Sequence, residues 1–97
     1  DIVYFESQKR SIRLYKKDGT EGSFYGKLNE VDKQLKEAAV LFLRIHQSYL
    51  VNYNYIKQFG NTELELSNGK CLPISEDRRK AAEQKYGGLL RKELFYE

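Results

Sequence analysis

The sequence predicts a mostly β fold with two short helices. Apolar and polar residues alternate over several short runs, as they do in strands that bury one face. Two pairs of these runs are joined across Lys17-Asp18-Gly19 and Ser67-Asn68-Gly69, which are typical of hairpin turns. Only two segments, residues 27–36 and 76–86, carry helix signals. Together these features favour small antiparallel sheets over a helical or alternating α/β fold.

The first part of the chain is predicted to form strands separated by polar loops. Its elements are a strand at residues 2–6, a polar loop at Ser7 to Ser11, and a hairpin of strands 12–16 and 21–25. The alternation of side chains between the two faces of a strand determines the length of the hairpin loop. Ile12, Leu14 and Phe24 must share one face, which requires an odd number of loop residues. A three-residue loop with Gly19 in the left-handed conformation meets this requirement and pairs Ile12 with Phe24.

The next element is a predicted helix over residues 27–36. Leu28, Val31 and Leu35 recur at helical spacing and form one apolar stripe. A strand over residues 41–45 follows, and its geometry places Leu41, Leu43 and Ile45 on the face opposite to Phe42 and Arg44.

The second predicted hairpin covers residues 62–74. A two-residue turn at Asn68-Gly69 would set Glu65 opposite Leu72, whereas a loop of Ser67-Asn68-Gly69 pairs Leu64 with Leu72 and keeps the apolar face intact. Pro73 lacks an N–H donor, so its strand is expected at a sheet edge. Cys71 lies in this strand, and we expect it to be a small core residue or semi-buried.

The second helix is expected to begin after Ser75, a favourable N-cap residue. Glu76 and Asp77 then suit the positive end of the helix. The helix is predicted to run to about Tyr86 and to end at Gly87-Gly88. Beyond it, residues 87–97 are open to more than one interpretation; they include four apolar residues of a possible amphipathic helix that docks or dimerises: Leu89, Leu90, Leu94 and Phe95.

Composition places the chain among ordinary globular domains. Its 97 residues suit a single domain, with 40% hydrophobic and 32% charged residues. No apolar run is long enough to span a membrane and nothing at the start resembles a signal peptide, so we expect a cytoplasmic protein. One Cys cannot form an internal disulfide. Because the chain lacks Met and opens in a strand-like run, we expect it to be a piece of a longer protein.

Charge and residue chemistry favour binding over catalysis. The net charge of +3 permits nucleic-acid binding without requiring it. Basic residues are clustered at segment ends, where they can meet phosphates, although composition alone favours ordinary solvated surface charge: Lys9-Arg10, Arg13, Lys16-Lys17 and Arg78-Arg79-Lys80. One His and one Cys cannot hold a zinc ion, and no glycine-rich phosphate loop or paired acids are present. We therefore expect no enzyme activity, no metal and no cofactor.

The most distinctive stretch runs from Phe42 to Asn52. It passes from an alternating strand into the polar turn His46-Gln47-Ser48, which is how a scaffold presents a recognition surface. Alternatively, His46, Ser48 and Asn52 cap the turn for their own backbone. The stretch resembles the signature F-x-R-x-H-x-S-Y-x-V-N of LytTR DNA-binding domains through Phe42, Arg44, His46, Ser48, Tyr49, Val51 and Asn52, with Leu50 at an open position of the signature.

The resemblance to this family extends beyond the central signature. It includes Asp1 to Glu6, Ile56, Leu64 to Leu66, Asn68-Gly69 and Leu72 to Ser75, and only the tail beyond Tyr86 lies outside it. It implies an elongated arrangement of small antiparallel sheets with two short helices. It also implies three loops that enter successive grooves on one side of a DNA duplex, and by position these match Ser7 to Ser11, His46 to Ser48, and Ser75 to Arg79.

The resemblance and side-chain chemistry nominate two groups of residues. Base-reading candidates are Gln47, whose amide can bond adenine bidentately, together with Arg10, Arg78 and Glu76. Candidates for contacting the DNA backbone or positioning a loop are Lys9, Ser11, Arg44, His46, Ser48, Asn52, Ser75, Arg79 and Lys80. Many family members carry a basic residue where this chain has Glu76. Either Glu76 reads a base, or Arg78 and Arg79 take over, and the second is favoured.

The family further implies the partners of the whole protein. We expect the output domain of a bacterial two-component response regulator that binds double-stranded DNA at directly repeated sites. An upstream receiver domain, absent from this sequence, would be phosphorylated and form a homodimer. The alternative is a protein-interaction domain with an exposed aromatic patch of Tyr49, Tyr53, Tyr55 and Phe59, although core packing is their simpler explanation.

Overall fold

A computed structural model describes the backbone of residues 1–96 and the side chains of residues 1–91. The described chain forms strands in two antiparallel sheets together with two helices, so the predicted fold class is confirmed. The elements are β1 (Ile2–Gln8), β2 (Ser11–Lys16), β3 (Glu21–Tyr25), α1 (Leu28–Glu37), β4 (Phe42–His46), β5 (Tyr49–Asn52), β6 (Ile56–Phe59), β7 (Glu63–Leu66), β8 (Cys71–Pro73) and α2 (Glu76–Tyr96).

The larger sheet has five strands in the order β3-β2-β1-β5-β4, and the smaller has three in the order β6-β7-β8. Strand β1 is antiparallel to both β2 and β5. It therefore joins the first hairpin to the β4–β5 hairpin, which carries the distinctive motif. Helix α1 connects these two hairpins along the chain.

Both faces of the five-stranded sheet are covered. One face packs against the smaller sheet and α2, and it holds the larger cluster of buried residues: Val3, Tyr4, Leu43, Ile45, Val51, Leu64, Leu66, Leu72, Ile74 and Ala82. The other face packs against α1 through Phe5, Ile12, Leu28, Phe42 and Leu50. Complete burial of a side chain such as Leu43 or Ile45 contributes roughly 1.5–3 kcal/mol, so these clusters hold the layers together.

Both three-residue hairpin loops are confirmed. Ile12 pairs with Phe24, and Leu64 pairs with Leu72, as the alternation of side chains requires. Gly19 and Gly69 adopt φ angles of 88° and 89°, the left-handed conformation that favours glycine. Pro73 lies in β8, an edge strand of the smaller sheet, as predicted.

The loop predicted over Ser7 to Ser11 is wrong. Strand β1 extends to Gln8, which pairs directly with Ser11, so the turn contains only Lys9 and Arg10. Lys9 adopts a φ angle of 54°, which is uncommon for a residue other than glycine. Polar residues 7 and 8 join the strand because the ladder with β2 continues there, a tertiary effect that overrides their composition.

Helix α1 confirms the predicted apolar stripe and has an unusual end. Leu28 is buried, and Val31 and Leu35 pack against the α1-side cluster. After the helix, the N–H of Val40 donates to the Leu35 carbonyl at 3.0 Å, while Ala39 adopts a φ angle of 58°. This bond belongs to a Schellman ending, which usually has glycine where Ala39 stands.

Helix α2 does not end at Gly87-Gly88 but continues to Tyr96, so that prediction was wrong. A Cβ at either glycine would meet nothing within 4 Å. Glycine costs about 1 kcal/mol in a helix interior, and core contacts of Tyr86 and Leu89 on either side of the pair override that cost. The side chains predicted at Leu94 and Phe95 lie outside the described residues. Among the described residues, neither helix is long and apolar enough to cross a membrane.

Cys71 is exposed, so the expectation of a core or semi-buried thiol was wrong. Successive side chains of strand β8 point to opposite faces of the sheet. Leu72 is buried in the core, and its neighbour Cys71 therefore projects from the opposite face.

Candidate nucleic-acid interface

Two polar turns lie at the same end of the five-stranded sheet. They are Lys9-Arg10, between β1 and β2, and Gln47-Ser48, between β4 and β5. Because β1 and β5 are antiparallel neighbours, their adjoining turns lie side by side. The N–H of Ser7 donates to the Ser48 carbonyl at 2.8 Å and links the two hairpins beside these turns. Neighbouring hairpins of one sheet are about 10 Å apart, since each strand spacing is about 4.8 Å.

The start of α2 lies at this end too. The N–H of Ser75 donates to the Ile45 carbonyl at 2.9 Å, and farther along the helix Lys85 Nζ donates to the Phe42 carbonyl at 2.9 Å. Helix α2 therefore runs antiparallel to β4, with its N-terminus beside the Gln47-Ser48 turn. The structure thus brings the three predicted loops together, and we name this region the Gln47 end.

Ser75 occupies the N-cap position of α2. Its carbonyl accepts from the N–H of Arg79 at 3.0 Å, which begins the helical bonding pattern. Its hydroxyl lies 3.5 Å from the Ile45 carbonyl and fastens the helix start to β4. The first backbone N–H groups of a helix and its dipole attract anions, and here the carboxylates of Glu76 and Asp77 in the first turn offset that positive potential.

Arg44 holds the Gln47-Ser48 turn in place from the strand beneath it. Its Nε donates to the His46 carbonyl at 2.8 Å and its Nη2 donates to the Gln47 carbonyl at 2.6 Å. Its Nη1 donates to Oδ1 of Asn29 on α1 at 2.7 Å. The turn is therefore tied to both the sheet and a helix.

One side chain at this turn bonds the local backbone, and another is exposed to solvent. His46 Nδ1 accepts from the N–H of Ser48 at 3.0 Å, so the imidazole supports the local backbone as the alternative interpretation expected. Gln47 is exposed, and its amide makes no hydrogen bond to any residue whose side chain the structure describes. The carbonyl of Gln47 is anchored while its side chain stays available, which is the arrangement that recognition of a ligand needs.

Arg78 and Arg79 have different neighbours. Burial lowers the pKa of Arg44, and the positive charge of Arg78 lowers it further, so these two arginines lie close enough for their charges to interact. Arg79 Nη1 instead donates to Oδ1 of Asn61, on the turn between β6 and β7. Glu76 is exposed on the same side as Arg79 and Asn61, and these residues line one surface pocket.

The remaining predicted residues fall into two places. Lys9, Arg10 and Lys80 are exposed, and Ser11 Oγ donates to the Gln8 carbonyl at 3.1 Å across the first turn. Asn52 is at the other end of β5, where its Nδ2 donates to the Ile2 carbonyl at 2.9 Å and its Oδ1 accepts from the N–H of Asn54. Its position fits loop support and is distant from the three turns.

Two asparagines at this end were not identified from the sequence. Asn29 receives the Arg44 guanidinium, and Asn61 receives that of Arg79. Neither residue lies in the distinctive motif, and their roles arise from contacts between elements far apart in the chain. Gly60-Asn61 marks a turn by its composition, but that signal does not identify its partner.

The four aromatic residues of the alternative interpretation do not form an exposed patch. Tyr53 is buried, and Tyr49, Tyr55 and Phe59 are half-buried against the larger core cluster. Phe59 stacks on Tyr86 of α2 with ring centroids 5.2 Å apart. These contacts support the simpler explanation, core packing.

Comparisons with known proteins agree with the fold and the motif. The family model of the LytTr DNA-binding domain matches residues 1–87. A similar solved structure, with a TM-score of 0.75 and 23% identity, is the LytTr DNA-binding domain of a protein described as a methyl-accepting/DNA response regulator from Bacillus cereus. The match covers 89% of this chain and 81% of that chain, whereas no curated protein sequence matches significantly. The chain therefore belongs to the LytTr DNA-binding domain family.

Proposed function

We propose that this domain binds double-stranded DNA sequence-specifically as the output domain of a bacterial two-component response regulator. The observation that carries the proposal is the convergence of three polar segments at the Gln47 end, with one of them anchored by Arg44. Family membership supports DNA as the ligand. The role is binding without catalysis.

Gln47 is the proposed base reader. Its exposed amide projects from a turn whose backbone is fixed, so little conformational freedom is lost when the amide contacts a base edge. A side-chain amide can accept from adenine N6 and donate to adenine N7 in the major groove. Of the groups near it, Arg78 is the favoured second reader, because Arg79 is already engaged with Asn61. Arg10 is proposed to read from the adjacent turn, and Glu76 remains the alternative to the Arg pair.

The other residues of this end are proposed to set the position of the domain on the duplex. Lys9, Arg79 and Lys80 supply cations for phosphates, while Ser11, Ser48 and Ser75 offer hydroxyls. Such contacts carry no sequence information and weaken all duplexes alike when removed. Arg44 and His46 are proposed to act indirectly, because they hold the turn and do not contact the DNA themselves.

In the whole protein, we propose that this single domain follows a receiver domain and acts in the cytoplasm. Phosphorylation of the receiver would bring two copies together, and each copy would occupy one of two directly repeated DNA sites. Cooperative binding of the pair would exceed the affinity of the isolated domain, since the second contact becomes intramolecular.

A salt titration tests whether DNA is the ligand. The probe is a mixed-sequence duplex of about 30 base pairs, roughly three turns of B-DNA. With about five neutralised phosphates, log K should fall against log salt with a slope of roughly −4 to −5. Arg79→Ala should flatten that slope by about 1. A parent domain whose binding does not depend on salt, or that binds no duplex, would remove DNA as the ligand.

Specificity is tested at Gln47. A site is first selected by the parent domain from a random-sequence duplex library. Gln47→Ala should reduce affinity for that site by about fivefold to 150-fold, the equivalent of roughly 1–3 kcal/mol, with little change on a scrambled duplex. Gln34→Ala, at an exposed position on α1, is the matched control. Equal losses on both duplexes would mean that Gln47 supports the turn and that another residue reads the DNA.

A further inference from the structure

Tyr25, the last residue of β3, is far more exposed than the other large apolar side chains at the surface. Its exposed fraction is 89%, compared with 43% for Val40 and Leu41. The other tyrosines whose side chains the structure describes are buried or half-buried. The ring and the hydroxyl of Tyr25 are therefore both accessible to a ligand.

Two other tyrosines on the same face of the sheet contribute to the fold through contacts that Tyr25 lacks within the described part of the chain. The hydroxyls of Tyr15 and Tyr49 donate to the Glu6 carboxylate at 2.8 and 3.3 Å. The ring of Tyr15 also stacks on Tyr4, with centroids 4.3 Å apart. The Tyr25 hydroxyl has no such acceptor among the described residues.

The position of Tyr25 places it next to the first turn of the Gln47 end. Tyr25 pairs with Ser11, and the N–H of the following Gly26 donates to the Arg10 carbonyl at 3.2 Å. One concave patch of surface is lined by Gln8, Lys9, Arg10, Ser11 and Tyr25. Strand pairing therefore fixes the backbone of Tyr25 beside two exposed cations.

The chemistry of this patch selects an anion as its ligand. Its lining contains two cations, an amide and two hydroxyls, with no carboxylate. A Tyr side chain is rigid and loses little entropy on contact, and its hydroxyl is a regular donor to DNA phosphates. The patch continues the surface formed by the three turns along the edge strand β3.

We propose that Tyr25 extends the DNA contact beyond the turns, with its hydroxyl donating to a backbone phosphate oxygen and its ring lying against the adjoining sugar. The inference rests on the proposed function, because the phosphate belongs to the same duplex that Gln47 reads. Tyr25 is neutral, so its contact displaces no counterion. It raises affinity for every sequence and leaves the salt dependence unchanged, unlike the phosphate contact proposed for Lys9.

The first test compares substitutions in the parent domain, using the mixed-sequence duplex and the selected site. Tyr25→Phe removes only the hydroxyl and should weaken binding to both duplexes about threefold to tenfold, with an unchanged salt slope. Lys9→Ala, which removes a cation of the same patch, should flatten the slope by about 0.9. Tyr55→Phe removes a hydroxyl far from the Gln47 end, next to the Lys17 and Ser67 turns, and should bind as the parent does. An unchanged melting temperature verifies that each variant is folded.

The second test locates the phosphate. Neutral methylphosphonates are placed singly along the backbone of the selected site. At one phosphate outside the base pairs that Gln47 is proposed to contact, the methylphosphonate should weaken DNA binding by the parent domain. The same replacement should cause no further loss of binding by the Tyr25→Phe variant.

The outcomes separate this inference from the function on which it rests. If the parent binds and Tyr25→Phe binds equally well at every salt concentration, the Tyr25 contact is wrong while the DNA proposal stands. A loss confined to the selected site would also overturn the inference, since it would make Tyr25 a base reader. If the parent binds no duplex, both proposals fail together.

Discussion

The two ends of the five-stranded sheet build their turns in different ways. At one end is the glycine turn Lys17-Asp18-Gly19, and the turn Ser67-Asn68-Gly69 of the smaller sheet lies beside it, since Lys17 and Ser67 line the same surface pocket. We name these two glycine turns the Gly19 end. Their side chains support their own backbone, since Asp18 Oδ1 accepts from the N–H of Thr20 and Asn68 Oδ1 accepts from that of Lys70. The Gln47 end has no glycine in its turns Lys9-Arg10 and Gln47-Ser48.

The difference shows what a turn requires if it is to present a side chain to a ligand. At the Gly19 end, side chains within the turns bond the backbone of their own turn. At the Gln47 end, Arg44 and His46 of the preceding strand bond the backbone of the turn, and Asn29 holds Arg44, so the Gln47 amide is not consumed by local support. A glycine would ease the turn but would offer no side chain to a ligand. External anchoring is therefore the structural condition for an exposed and well-positioned side chain.

The largest effect is expected from removing the external anchor. Arg44→Lys keeps the charge but cannot reach the carbonyls of His46 and Gln47 and the Asn29 amide with one planar group. We expect affinity for the selected site to fall at least about tenfold, and the free energy of unfolding to fall by roughly 1.5–3 kcal/mol. Duplex titration and urea denaturation measure the two losses.

Asn52→Ala is the control for the Arg44 variant. It removes a polar anchor at the other end of β5, where Asn52 bonds the Ile2 carbonyl. We expect a stability loss of roughly 0.5–1.5 kcal/mol with unchanged DNA affinity of the folded domain. If both variants lose affinity in proportion to stability, the Gln47 end has no special dependence on its anchor and the comparison breaks down.

The next effect tests the local design of the Gly19 end. Gly69→Val should lower the free energy of unfolding by more than about 1 kcal/mol, because a β-branched residue resists the φ angle of 89°. Gly87→Ala is a contrasting glycine substitution and should raise stability by about 1 kcal/mol, since Gly87 is helical and its Cβ would meet nothing within 4 Å. Thermal unfolding of both variants is the measurement. A neutral Gly69→Val would contradict the register assigned to this hairpin.

The same contrast explains what the sequence could predict. Turns whose own side chains bond their backbone can be recognised from their residue types. Once those turns were located, the alternation of side chains between the two faces of each strand determined the pairing of Ile12 with Phe24 and of Leu64 with Leu72. The Lys9-Arg10 turn has no local signal, because Lys9 is held at a φ angle of 54° by the ladder around it. Its loop was consequently predicted too long.

The candidate site was predictable to a similar degree. The motif identified Arg44, His46 and Gln47, because a strand followed by a polar turn is visible in sequence. It could not identify Asn29 and Asn61, whose side chains meet the arginines only after α1 and the smaller sheet have packed. The continuation of α2 through Gly87-Gly88 was missed for the same reason, since tertiary contacts outweigh local propensity.

A smaller effect is expected at Asn29, the helical partner of the anchor. Asn29→Ala removes one of the three contacts of Arg44 and leaves both carbonyl contacts in place. Stability should fall by roughly 0.5–1 kcal/mol and affinity for the selected site by only a few-fold. A loss as large as that of Arg44→Lys would mean that the link to α1, rather than the two carbonyls, positions the turn.

The smallest effect on stability is expected at Lys9, where the two turn designs can be exchanged. Asn tolerates the left-handed conformation better than Lys, so Lys9→Asn should leave stability unchanged or raise it by up to about 0.5 kcal/mol. The same substitution removes a cation, and the salt slope of duplex binding should flatten by about 0.9 if Lys9 contacts a phosphate. A gain in stability together with a loss in binding would show that this turn retains backbone strain because its side chain is used by the ligand. If Lys9→Asn changes neither quantity, the left-handed lysine has no function in DNA binding and the two ends of the sheet differ only in their local chemistry.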